Sequence, residues 1–223
     1  MRLVAIAMAL AAVGGAAGDL EMARDKQDRP ALEKLAAQAR DAAGNDAAAN
    51  YRAAVAYSYL AQVNEELHDR GGVKRAAEAG IALAERAVAL KSSVSENYRI
   101  LGTLYGQIVP VNVLAALGYG KKAQDAIGKA LELDPKSAPA YVSRGVGSYY
   151  LPSGFGGGTD LAIRDFQKAI ELNPKSDDAY LWLGLAMRKA NRNVDARKAF
   201  TKSLELNPNR LWAKQQLDKT PAN

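Results

Sequence analysis

The chain has 223 residues, 48% of them apolar, with 30 Lys and Arg against 24 Asp and Glu, one His and no Cys. That length and apolar content allow a sizeable buried core and argue against global disorder. The missing cysteine excludes a disulfide framework, a thiolate nucleophile and Cys-ligated metal, and one histidine removes most Ser–His–Asp and multi-His schemes.

Residues 1–18 (MRLVAIAMALAAVGGAAG) place Arg2 before an uncharged apolar run from Leu3 to Val13, followed by small residues at Ala16, Ala17 and Gly18. This order predicts a signal peptide cleaved near Ala17 or Gly18, and hence an exported protein, periplasmic or secreted. The run is too short for the ~20 apolar residues of a membrane span. No later segment is long and apolar enough to cross a membrane either.

Beyond the leader, apolar residues recur at three- and four-residue spacing, alanine is abundant and no alternating β-branched stretch is sustained, which predicts an all-α chain. Breaks fall at Gly44-Asn45-Asp46, Arg70-Gly71-Gly72, Lys91-Ser92-Ser93, Asp134-Pro135, Asn173-Pro174 and Asn207-Pro208. Residues 19–45 read as an N-terminal capping helix with Asp28 as N-cap and Pro30 in its first turn, and 46–208 as a helical array. Residues 209–223 read as a C-terminal capping helix and tail, with Leu211, Trp212 and Leu217 covering the last unit.

Three segments end alike: ALELDP (130–135), AIELNP (169–174) and SLELNP (203–208), with the last two prolines 34 residues apart and the first two 39 apart. A period near 34 with paired helices resembles the tetratricopeptide repeat (TPR). In the last unit the family positions fall on Tyr180, Leu183, Gly184 and Met187, then Ala196, Phe200, Ser203 and Pro208. The preceding unit supplies Tyr141, Gly145, Ala162, Phe166, Ala169 and Pro174, but has Arg144 where leucine is expected and Ser148 where an aromatic is usual. One unit earlier come Tyr98, Leu101, Gly102, Tyr105, Ala123, Ile127, Ala130 and Pro135. Residues 46–91 form a degenerate first unit in which Gly80, Ala84 and Ala87 line the helix contact. The resemblance implies an α-solenoid of about four helix pairs. Insertions at 106–120 and 151–158 interrupt it, the first as a short extra helix or a longer second helix.

The glycine run 154–158 before Thr159 lacks the order of a phosphate loop and follows a helix, so it reads as a turn leading to an N-cap at Thr159 or Asp160. His68, beside Glu65, Glu66 and Asp69, reads as a solvated helix end. Asp177 and Asp178 fall in a helix's first turn, where negative charge complements the dipole. No catalytic, cofactor-binding or metal-binding residue is assigned, and no cofactor is expected.

In the family the first helix of each unit faces a ligand-binding groove. Carried onto this chain, that implies groove positions at Glu96, Arg99 and Thr103, at Val142, Val146 and Tyr149, and at Asp178, Leu181, Leu185 and Arg188. The Lys, Asn and Arg residues that clamp a peptide carboxylate in chaperone-binding members do not recur. Residues 1–119 hold 13 basic and 13 acidic side chains and 120–223 hold 17 and 11, so the positive excess lies in the C-terminal half. Arg188, Lys189, Arg192, Arg197, Lys198 and Lys202 concentrate it, and could meet an anionic surface. Nucleic acid is disfavoured, because no aromatic–basic interleaving is present. The expectation is an exported, non-catalytic adaptor that binds another envelope protein or a peptide in its groove. The alternative is a carrier of a small ligand, with the insertions closing a pocket.

Overall fold

The computed structural model describes residues 18–111 and 116–222, and the leader therefore lies almost wholly outside the described residues. A helical segment over 18–25 (α1) precedes α2 (Arg29–Asp41), α3 (Ala47–Glu66), α4 (Arg70–Leu90), α5 (Ser95–Ile108) and α6 (Ala116–Leu133). There follow α7 (Ala138–Tyr150), α8 (Thr159–Leu172), α9 (Asp177–Lys189), α10 (Asn193–Leu206) and α11 (Leu211–Asp218). The described residues contain no strand, in line with the all-α reading. Helices pair as α3/α4, α5/α6, α7/α8 and α9/α10, with α2 packed on α3 and α11 on α10.

One contact sets the geometry of three pairs. A Cβ on Gly102 would meet Ile127 at 2.6 Å, one on Gly145 would meet the Phe166 ring at 2.5 Å, and one on Gly184 would meet the Phe200 ring at 2.6 Å. The partners are 25, 21 and 16 residues apart in sequence, so the two insertions lengthen the connection without moving the contact. The first insertion ends inside α6, whose opening turn starts at Ala116, so the second helix of that unit is lengthened; residues 112–115 lie outside the described residues. Buried residues form one cluster from Leu32 and Ala36 through Leu104 and Ile108 to Ala126, and another around Phe166, Leu181, Trp182, Phe200 and Trp212.

The turns between units are built alike. In Asp134-Pro135-Lys136-Ser137 the Asp134 side chain accepts from the Lys136 amide at 3.0 Å and Ser137 caps α7 through the Ala140 amide at 3.2 Å. Asn173 and Ser176 do the same before α9, at 3.1 and 3.2 Å. At the third such turn, Asn207-Pro208-Asn209-Arg210, an arginine stands in the serine's place, and its side chain makes no cap.

Three local expectations change. The break assigned to Arg70–Gly72 lies at Leu67–Asp69: Asp69 is the N-cap of α4 and accepts from the Gly72 amide at 2.8 Å, so both glycines sit in the helix. Gly72 is there because a Cβ would meet Asn64 at 2.7 Å, and His68 takes φ 63° in the turn and is exposed. The N-cap of α8 is Gly158 at φ 118°, so Thr159 is already helical. Leu211 is exposed, and α11 meets the core through Trp212, Ala213 and Leu217.

Candidate functional site

The first helices of the four pairs (α3, α5, α7 and α9), together with parts of α6 and α8, wall a cavity of about 960 Å³. From α3 it takes Tyr51, Val55, Ser58, Tyr59, Gln62 and Glu65, six residues at helical spacing that share one face. Polar bonds tie the walls together. The Tyr51 hydroxyl donates to Glu96 Oε2 at 3.1 Å, and Arg99 Nε donates to the same oxygen at 2.6 Å. Thr103 and Ser143 hydroxyls meet at 2.9 Å, joining α5 to α7, and Gln107 Nε2 donates to the Ser58 carbonyl at 3.1 Å. Burial works against the charge on Arg99, but Glu96 and Tyr51 outweigh it and its pKa rises.

The chain ends close one side. Arg24 on α1 lies 4.9 Å over the Tyr59 ring and donates to Asp178 Oδ2 at 2.8 Å. Asp25 accepts from Arg24 and, at 2.8 Å, from Asn207 Nδ2. Arg210, fully buried, reaches Glu66 at the end of α3. Gln27 donates to Glu66 at 2.9 Å and exchanges hydrogen bonds with Gln215 on α11 at 3.1 and 3.3 Å. Burial opposes the charge on Asp178, yet Arg24 and Arg210 prevail and hold its pKa below the ordinary value. The repeat array is thus a closed ring.

Of the predicted groove positions, Glu96, Arg99, Thr103, Val142, Val146 and Asp178 line the cavity. Leu181 and Leu185 do not, because Trp212 and Ala213 of α11 join them in one buried cluster. Arg188 donates to the Gln216 side chain at 2.6 Å, which ties α9 to α11. Tyr149 packs on Trp182 at 5.8 Å beneath Lys189, whereas its neighbours in the cavity wall are Tyr150 and Trp182 themselves. The capping helix therefore occupies the surface that the last unit would otherwise offer.

The side chains of the basic run have partners within the chain, while Lys198 stays 76% and Arg192 52% exposed. Arg192 pairs with Asp195 at 2.8 Å, Lys198 with Asp195 at 4.0 Å and Lys202 with Glu205 at 2.9 Å. Arg197 holds the Leu217 and Thr220 carbonyls at 3.0 and 2.6 Å, and Lys189 donates to the Tyr149 carbonyl. The glycine run is likewise committed: the amides of Gly156, Gly157 and Gly158 donate to the carbonyls of Ser153, Pro152 and Ser148. Among the described residues no group of acidic or histidine side chains is arranged to hold a metal, and no helix is long and apolar enough to cross a membrane.

These features define an α-solenoid of paired helices with a walled inner cavity. Residues 156–191 match the TPR repeat profile and residues 177–210 the tetratricopeptide repeat profile. The fold is similar to that of TTC0263, a thermophilic TPR protein of Thermus thermophilus, with TM-score 0.55 and 18% identity over 85% of this chain and 97% of that one. Pseudomonas aeruginosa pilF matches with TM-score 0.49 and 19% identity over 75% of this chain and 67% of that one. YrrB, described as a TPR protein with an unusual peptide-binding site, matches with TM-score 0.46 and 18% identity over 85% and 92%. No curated protein sequence matches. Residues 156–210 thus carry tetratricopeptide repeats, and the chain has the fold of a tetratricopeptide repeat protein.

Proposed function

We propose that the protein is a non-catalytic interaction scaffold, exported by its leader, which holds a segment of another envelope protein in the inner cavity. The observation that carries this is the wall itself: four first helices converge on one space of about 960 Å³, bordered by Val142, Val146 and Trp182 with polar groups at Arg99, Glu96 and Gln62. An apolar lining with a few fixed polar groups suits a peptide whose side chains enter pockets and whose backbone is hydrogen-bonded. Affinity capture of residues 19–223 from the native envelope, beside a Val142→Glu plus Val146→Glu double variant, tests it. Partners retained by the parent and lost by a folded double variant support the scaffold; identical partners on both remove the cavity from the interaction.

A second reading, a small-ligand carrier, draws on the cavity's size, which lies in the range of small-molecule sites, and on its rim. Both inserted regions contribute to that rim, through Gly106, Val109, Pro110 and Gly120 and through Leu151 and Gly156. A metabolite that raises the melting temperature would favour it. No shift across a broad panel leaves the scaffold.

A further inference from the structure

Four carboxylates line the cavity, and three have cations. Glu96 has Arg99 at 2.6 Å, Asp165 has Arg144 at 2.7 Å and Asp178 has Arg24 at 2.8 Å. Glu65 differs. Its Oε1 accepts from the Tyr150 hydroxyl at 2.6 Å, and among the described residues no Lys or Arg lies within ion-pair distance of it. Burial pushes the Glu65 carboxyl up; the Tyr150 hydrogen bond opposes this, the neighbouring Glu66 adds to it and His68 opposes it again. The other unmatched charge of the wall, Arg164 on α8, is exposed and solvated, so it requires no counter-ion.

The surroundings of Glu65 are aromatic. Tyr150 packs edge-on against Trp182 at 6.1 Å, both in the cavity wall with Tyr59 one helical face along from Glu65. Aromatic faces beside a carboxylate favour a cation, through the ring quadrupole and the ion pair together. The protein already makes this combination once with its own side chains, where Arg24 lies over Tyr59 and bonds Asp178. Glu65 and Tyr150, with Trp182 packed behind the tyrosine, set a carboxylate beside an aromatic ring in the cavity wall without a cation of the chain's own.

Resting on the scaffold reading, we infer that the bound segment is basic: a lysine or arginine side chain of the partner enters the cavity and pairs with Glu65 beside Tyr150 and Trp182. Specificity then comes from one half-buried charge, because an uncharged or acidic residue at that place would leave Glu65 without a counter-ion.

The test uses purified protein and four fluorescein-labelled hexapeptide pools that differ only in a fixed central residue: Lys, Arg, norleucine or Glu. Binding is read by anisotropy at low and high salt, with unlabelled cadaverine as competitor. The Lys and Arg pools should bind at least tenfold tighter than norleucine, and the Glu pool weakest. Glu65→Gln should abolish the tenfold advantage of the Lys pool over the norleucine pool, both measured on the same variant. Should that variant fail to fold, the parent's lysine advantage must still shrink with salt while norleucine binding does not. Equal binding of Lys and norleucine pools overturns the inference and leaves the peptide groove standing. No binding by any pool overturns both. Cadaverine displacing peptide at the Lys pool's own affinity would move the cation from a partner protein to a free diamine and overturn the basic segment.

Discussion

The Arg210 guanidinium and the Glu66 carboxylate, 144 residues apart in sequence, form a buried ion pair with side chains 0% and 1% exposed. Asp25 and Asp178 flank the same arginine at 3.8 and 4.0 Å, so the charge is shared among three elements of the ring. Such a pair holds its partners by penalty as much as by attraction: removing one member leaves the other desolvated.

Arg210→Met should therefore destabilise the protein by about 3–5 kcal/mol, whereas Arg210→Met with Glu66→Leu should recover most of that loss. Urea denaturation of the parent, the single and the double variant measures both. A single variant within about 1 kcal/mol of the parent would mean that water reaches Glu66.

The buried carboxylates also set a pH dependence. Burial raises the Glu65 and Glu66 pKa above the ordinary 4.5, in Glu66 against the pull of Arg210. The native state then keeps protons that the unfolded chain has lost. The sign follows: these two favour folding most fully below pH ~4.5, and their contribution is lost as pH rises through the folded-state values. Asp178 runs oppositely, since its lowered pKa adds stability above about 3.8 that disappears as pH falls through its folded-state value. Glu65→Gln should match the parent's stability at pH 4 and exceed it increasingly toward neutrality. Thermal melts from pH 4 to 8 give the comparison.

Helix spacing offers a paired test. Gly145→Ala places a methyl 2.5 Å from the Phe166 ring and should cost about 1–3 kcal/mol through overpacking. Gly147→Ala, two residues on in the same helix, meets nothing within 4 Å and should gain about 0.5–1 kcal/mol from helix propensity. Denaturant midpoints of opposite sign are expected.

Removal of Arg24 opens the strap from the other end. Arg24→Ala should cost about 1–3 kcal/mol, less than Arg210→Met because Asp178 keeps 32% of its exposure. Amide hydrogen exchange should speed up first in α1 and α11, with α5 and α6 unchanged.

Much of this architecture is legible in the sequence, because it is local. The motif ending in LELDP or LELNP, the in-phase glycines and the Asp and Ser caps each specify structure within a few residues. The ring closure is not local. It needs Arg24 to meet Asp178 and Arg210 to meet Glu66, and no period connects them. One trace was available: Arg210 breaks the series in which Ser137 and Ser176 hold the same place, and a charged residue substituted for a cap has another task. The α3 wall was hidden for a different reason. Its unit is degenerate, yet Tyr51, Val55 and Tyr59 recur at four-residue spacing, a stripe visible without any family pattern. Leu181 and Leu185 misled because the pattern of one unit cannot say what the next element covers.

Closure by residues so distant changes how the molecule assembles. Repeat arrays ordinarily gain stability one neighbour at a time, and a piece can fold before the rest exists. Here Glu66 must wait through an interval of folding until Arg210, 144 residues later in the chain, reaches it. During that interval the carboxylate stays hydrated and the α3 wall lacks its closing partner. Long-range pairing of this kind raises contact order and slows the final step. The array should therefore unfold in one cooperative transition, as a globular domain does, with the meeting of α1, α3 and α11 as its last event.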